Sequence, residues 1–164
     1  MRNIYLIGFM GSGKSSVAKE LSIQLDLPTR DTDTLIEETY KQTIPEIFEK
    51  FGEETFRDYE SEILINTTKS GQVIATGGGI IEKEQNRKWL KENGIVIYLQ
   101  TTWDEIVDRL KDDQLRPIWN NTQRDKKKLL DSREDKYIDT ASFIVKTDNK
   151  EPKEIANEII QLIR

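Results

Sequence analysis

The sequence predicts an α/β fold, a parallel sheet covered by helices on both sides. Two observations carry this. Short apolar or β-branched runs, typical of strands buried on both faces, alternate with helix-like stretches along the chain. The first such run leads directly into a glycine-rich turn and then a helical repeat, the order of a parallel strand–loop–helix unit. At 164 residues the chain suggests one domain and can bury about 70% of its unfolded surface, enough for a substantial core.

Each element has its own signal. Ile4-Tyr5-Leu6-Ile7 reads as a buried strand, and Val17, Leu21 and Leu25 recur every four residues as one helix face. A weaker, shorter strand is expected just before Asp31. Thr43-Ile44-Pro45-Glu46 fits a capping box, with Glu three places after Thr, and Phe56, Tyr59 and Ile63 share a helix face. Gln72 to Ala75 and Ile95 to Leu99 read as strands. Thr102-Trp103-Asp104-Glu105 fits a second capping box, opening a helix with Ile106, Val107 and Leu110 on one face. Ser142 to Lys146 reads as a last strand, and Ile155, Ile159, Ile160 and Ile163 stripe a final helix. One stretch breaks the rhythm. From Asp112 to Arg124 the chain is polar, with Arg116-Pro117 in its middle, so it is either a lid or an ordinary surface loop. There is no repeat, low-complexity tract or interdomain linker.

Composition removes several functions. Net charge is -5 with no basic block, which argues against nucleic acid and anionic membrane as partners. An anionic ligand must then be met by local positive groups rather than by a global field. With no cysteine there is no disulfide, thiol nucleophile or thiolate metal site. With no histidine the commonest general base is missing, so a proton acceptor has to be a carboxylate or a less usual group. No signal peptide or membrane span is visible, and a cytoplasmic location is expected.

The chemistry starts at Gly8-Phe9-Met10-Gly11-Ser12-Gly13-Lys14-Ser15, a G-x-x-x-x-G-K-[S/T] phosphate-binding loop. Glycines let successive N–H groups point inward, and the helix that follows adds its positive dipole end. Lys14 supplies a cation for the outer phosphates of a polyphosphate, and Ser15 a hydroxyl oxygen for Mg2+. Asp31-Thr32-Asp33 comes next. Two Asp residues two apart in extended chain point the same way, so one can orient Mg2+ or its water and the other can accept a hydroxyl proton. Equally, Asp33 can simply cap the next helix. Gly77-Gly78-Gly79 follows a strand and allows close approach to a ligand, or is only a flexible turn. That strand ends in Thr76 without a Mg2+-directed acid, which makes Asp31 a candidate for the duty. Arg57 can clamp a carboxylate bidentately, with Glu60 three residues on to orient it, or the two form a surface ion pair. Arg116 can reach transferring phosphate when the site closes, should its stretch be a lid rather than a surface loop. Arg133 sits in the charged run Asp131 to Lys136, whose default reading is a solvated helix face.

In this order and spacing these motifs resemble the shikimate kinase family. The resemblance runs from the phosphate loop through Asp31-Thr32-Asp33-Thr34-Leu35-Ile36-Glu37 and Thr43 to Phe48. It continues through Gly52-Glu53-Glu54-Thr55-Phe56-Arg57-Asp58-Tyr59-Glu60 and Thr76 to Gly79, and ends with Arg116-Pro117 and Arg133. It implies a three-layer α/β/α P-loop kinase fold with a central five-stranded parallel sheet. It implies a single domain over residues 1–164, with a substrate-binding region at about 31–62 and a lid at about 112–124. The implied reaction moves the γ-phosphate of ATP to the 3-hydroxyl of shikimate, with Mg2+, in aromatic amino-acid biosynthesis.

Family roles carry over position by position. Asp33, Arg57, Gly78, Gly79 and Arg133 are implied to hold shikimate, with the arginines on its carboxylate; Glu60 orients Arg57, and Ile44 and Phe56 wall the ring. Asp33, Lys14 and Arg116 are the implied catalytic set. Gly11, Ser12, Gly13, Lys14, Ser15, Ser16, Arg109 and Arg116 are implied on the nucleotide, Arg109 near the adenine, and Ser15 and Asp31 on the metal. A monomer is expected. Ser16, Trp119-Asn120-Asn121 and the stretch near Lys150-Glu151-Pro152 depart from the family pattern.

Overall fold

The computed structural model describes residues 1–110 and 123–164. Residues 112–122 of the expected lid, Arg116 among them, lie outside the described residues. The sheet has five strands, all parallel: β1 (Asn3–Ile7), β2 (Thr29–Asp31), β3 (Val73–Ala75), β4 (Gly94–Gln100) and β5 (Phe143–Lys146). The short strand expected before Asp31 is β2, and the other four fall within a residue or so of their predicted places.

Alternation along the strands builds two cores. Tyr5 and Ile7 of β1, with Val96 and Tyr98 of β4, face one side. Ile4 and Leu6, with Ile97 and Leu99, face the other. Both faces are covered, so these strands are apolar throughout, as a parallel sheet requires. On the first face lie α4 (Glu84–Asn93), α5 (Trp103–Leu110) and α6 (Gln123–Thr140), through Leu90, Ile106, Leu110, Leu130 and Tyr137. On the second lie α1 (Lys14–Leu25) and α7 (Pro152–Ile163), through Val17, Leu21, Ile155 and Ile159. A third, smaller cluster joins α2 (Thr32–Tyr40) to α3 (Ile44–Ile65) through Ile36, Ile47, Phe56 and Ile63. The helix α3 begins at the predicted capping box and breaks once, at Gly52 with φ 86 and ψ 174, so that Arg57 belongs to a separate helical segment.

The second predicted box forms only in part. Glu105 N–H reaches Thr102 Oγ1 at 3.4 Å, but the Thr102 N–H donates to Asp148 at 3.0 Å and the Glu105 carboxylate pairs with Arg109. A partner 46 residues away competes successfully for the group that a capping box would use.

Strand order is β2-β3-β1-β4-β5. The chain leaves β1 toward one edge and leaves β3 toward the other, so these neighbours flank a topological switch point, where ligands bind at strand carboxyl ends. Asp31 pairs in register with Ala75, and Ala75 with Leu6. The phosphate loop, the triple glycine and Asp31 therefore leave the sheet side by side.

Candidate active site

The loop after β1 turns through left-handed backbone at Gly11 and Gly13, with φ 81 and 89, and Gly13 is the N-cap of α1. No side chain caps that helix. The first-turn N–H groups of α1 are thus presented to a ligand rather than to a side-chain oxygen. The Lys14 ammonium donates to the carbonyls of Gly8 and Phe9 at 2.7 and 2.9 Å, which holds it across the loop. Ser12 is buried and its Oγ has no hydrogen-bond partner, while Ser15 and Ser16 are exposed. Arg109 reaches back from α5 to the Gly11 carbonyl at 3.0 Å, so it lies beside the phosphate loop.

The backbone between the two aspartates is not extended, the conformation their reading assumed, yet both line one cavity. Asp31 ends β2 and caps α2, its Oδ1 accepting from the N–H of Asp33 at 2.9 Å and of Thr34 at 3.3 Å. Its Oδ2 accepts from Ser15 Oγ at 3.1 Å. The chain turns helical one residue after β2, so Asp33 lies in the first turn of α2 rather than in extended chain, and both aspartates still line the cavity of the phosphate loop. The capping role open to Asp33 is filled by Asp31. Asp33 instead packs with Glu60 against Gly77, where a Cβ would sit 2.9 Å from Asp33 Oδ1 and 2.7 Å from Glu60 Oε2.

Arg57 and Glu60 are buried, so their pairing is no surface contact. Arg57 Nη1 donates to Glu60 Oε1 at 2.9 Å, and Nη2 to the more exposed Glu53 at 3.2 Å. Gly79 leaves room for this guanidinium: a Cβ there would stand 2.2 Å from Nη1. The backbone of Gly79 is ordinary, with φ -94, so the demand for glycine is one of space. Arg133, whose charged run taken alone reads as a solvated face but which the resemblance places on the substrate, is only 1% exposed. It stacks over the Phe9 ring and pairs through Nε with Glu82 at 3.1 Å. The α6 face carrying it is turned inward, onto the β3 loop, where Tyr137 also donates to the Gly78 carbonyl at 2.6 Å.

These groups line two adjoining cavities. One, of about 470 Å³, takes in Met10, Gly11 and Gly13 to Ser16 of the phosphate loop, with Asp31, Thr76 and Arg109. The other, of about 240 Å³, is walled by Ile44, Phe48 and Phe56 and carries Arg57, Glu60 and Arg133. Asp33, Glu37, Met10, Gly77 and Gly78 border both. The first has the donors for a polyphosphate, the second two arginines and apolar walls for a small carboxylated ring. Sequence reading gave no role to Glu37, Met10, Phe48 or Tyr137. Glu37 accepts the Ile44 N–H at 2.8 Å and so fastens α2 to the start of α3.

Burial pushes the Glu60 carboxyl up to about 7; Arg57 opposes this and the charge of Asp33 reinforces it. The folded chain therefore keeps a proton that the unfolded chain loses near pH 4.5. This component of stability is present below that pH and is lost as pH rises toward 7, by up to about 3 kcal/mol. Urea unfolding at pH 5 and pH 8 checks it. Glu60→Gln, which does not titrate, should gain stability relative to the parent between the two; an unchanged difference refutes it.

Comparison with known proteins agrees with this geometry. A family profile described as "Shikimate kinase" matches residues 10–164. A shikimate kinase of Bacillus cereus (strain G9842) is 43% identical over 164 residues, covering 99% of both chains. One from Enterococcus faecalis (strain ATCC 700802 / V583) is 38% identical and covers 100% of this chain and 99% of its own. The solved shikimate kinase from Acinetobacter baumannii in complex with shikimate superposes with a TM-score of 0.96. It is 37% identical and covers 99% of this chain and 93% of that one. Full-length similarity at these identities, on the same sheet and with every motif of the two cavities in place, makes this chain a member of the shikimate kinase family.

Proposed function

We propose that the chain is a shikimate kinase whose two cavities are the donor and acceptor halves of one site, working in the cytoplasm. The γ-phosphate of ATP passes to the 3-hydroxyl of shikimate, giving shikimate 3-phosphate and ADP. The observation that carries this reading is Asp33, which borders both cavities at their junction. A carboxylate there meets the hydroxyl on its way to phosphate and takes its proton. Arg57 and Arg133 hold the acceptor carboxylate, and Ile44 and Phe56 the ring. With the ring fixed at one end, the hydroxyl at the other is aimed in line at the phosphorus, and positioning supplies much of the rate.

On the donor side the loop N–H groups and Lys14 cradle the outer phosphates. Ser15 Oγ and Asp31 Oδ2, 3.1 Å apart, fit Mg2+, a hard cation that takes few protein oxygens and keeps several waters. When bound, the metal neutralises charge on the transferring group. Asp31 thus supplies the acid that the Val73–Ala75 strand lacks. Arg116 is assigned to the transferring phosphate and Arg109 to the nucleotide by family resemblance.

Among the described residues no helix is long and apolar enough to cross a membrane. The test is ADP release from MgATP with and without shikimate. Release should depend on shikimate and stop on chelation of Mg2+. No response to shikimate, with turnover of another hydroxylated acid or a nucleotide, would overturn the substrate.

A further inference from the structure

We propose that Glu82 is a positioning residue for Arg133, setting the direction in which that arginine meets the acceptor carboxylate. The inference rests on the reading of Arg133 given above. Glu82 closes the 3-10 turn Ile80–Glu82 that follows the triple glycine, and it does not line the acceptor cavity. Its Oε2 accepts from Arg133 Nε at 3.1 Å. Its Oε1 accepts from Lys136 Nζ at 2.9 Å, three residues further along α6. Held by two cations, the carboxylate has a fixed plane, and the bond it makes to Nε fixes the plane of the guanidinium. The contact uses the inner nitrogen. Terminal Nη1 lies toward the glycine loop, 3.6 Å from where a Cβ on Gly78 would be, and Arg133 is part of the cavity wall.

The turn that holds Glu82 is itself anchored. Glu82 N–H bonds back to the Gly79 carbonyl at 3.0 Å, and the Gly78 carbonyl accepts from Tyr137 at 2.6 Å. Arg133 is thus referenced to the same few residues that make room for Arg57. Two arginines on different helices, α3 and α6, gain a common frame. A long side chain without such an anchor would have to be ordered by the substrate itself, and binding would be weaker for it. The charged state of Glu82 suits this task. Burial works against it, but Lys136 and Arg133 outweigh burial and hold the carboxyl below its usual range.

The experiment is steady-state kinetics on Glu82→Ala, Glu82→Gln, Arg133→Ala and the double variant E82A/R133A. Glu82→Ala should raise the acceptor KM about 10-fold, lower kcat by less, and leave the KM for ATP within about twofold. Glu82→Gln keeps an acceptor for Nε and should recover part of the loss. The double variant should be no worse than Arg133→Ala alone, because the two residues act as one unit. If Arg133→Ala raises the acceptor KM and Glu82→Ala does not, or if the two losses add, the positioning role is wrong. If Arg133→Ala leaves the acceptor KM unchanged, the assignment of Arg133 itself falls, and the role of Glu82 with it.

Discussion

Replacing Asp33 by Asn is expected to lower kcat by about 10²–10⁴-fold while changing the acceptor KM far less. The amide keeps the size of the side chain and an oxygen for hydrogen bonding but accepts no proton. The usual structural explanation of such an aspartate, a helix cap, is not available, because Asp31 already accepts the N–H groups at the start of α2. The Asp33 carboxylate is instead pressed against Gly77 beside Glu60, at the junction of the two cavities. With no histidine in the chain, no imidazole can take over the duty. Single-turnover phosphoryl transfer at saturating substrates is the measurement. A rate within about threefold of the parent would reduce Asp33 to an orienting group, which a loose transition state with little need of base help would allow.

Arg57→Ala should weaken shikimate binding by ~2–5 kcal/mol, the cost of removing one partner from a buried, hydrogen-bonded charge pair. The same loss is expected from a change that leaves the arginine in place. In Gly79→Ala the new methyl would stand 2.2 Å from Nη1 and 2.4 Å from Cζ, so the guanidinium must leave its position. The guanidinium is the far end of a flexible side chain and Gly79 has an unstrained backbone, so the chain should still fold, at a cost in stability because buried Glu60 loses its partner, while binding is lost. Calorimetry of shikimate binding, with thermal unfolding as the control, separates the two. Unchanged affinity in Arg57→Ala removes the clamp. Unchanged affinity in Gly79→Ala shows that the arginine works equally well from elsewhere.

Local features were legible in the chain itself. The phosphate loop is contiguous, and Arg57 with Glu60 spans one helical turn, so neither needs a distant partner to be recognised. The inner strands β1, β3 and β4 were legible because burial on both faces leaves apolar runs, and a short β2 could still be placed by the aspartate at its end. Local rules fell short where a distant group competed. Thr102 gave its N–H to Asp148 instead of Glu105. Asp31 and Asp33 take different backbone settings, a cap and a first helical turn, because the helix starts one residue after the strand, which alternation along an extended chain cannot foresee. Arg133 sits in a run of charges that looks solvated, yet Glu82, 51 residues away, draws it into the interior.

By itself the sequence determined the fold class, the phosphate-binding loop and, through the order of its motifs, the family. Only the tertiary structure decided which aspartate caps and which borders both cavities, and why a side chain at Gly79 would meet Arg57. It also decided how Arg133 is held. The physical reason is the strand order. Placing β3 between β2 and β1 brings Asp31, the triple glycine and the phosphate loop to one edge, and α6 then closes over them. Contacts across that edge join residues far apart in the chain, and no local rule of spacing or capping contains them.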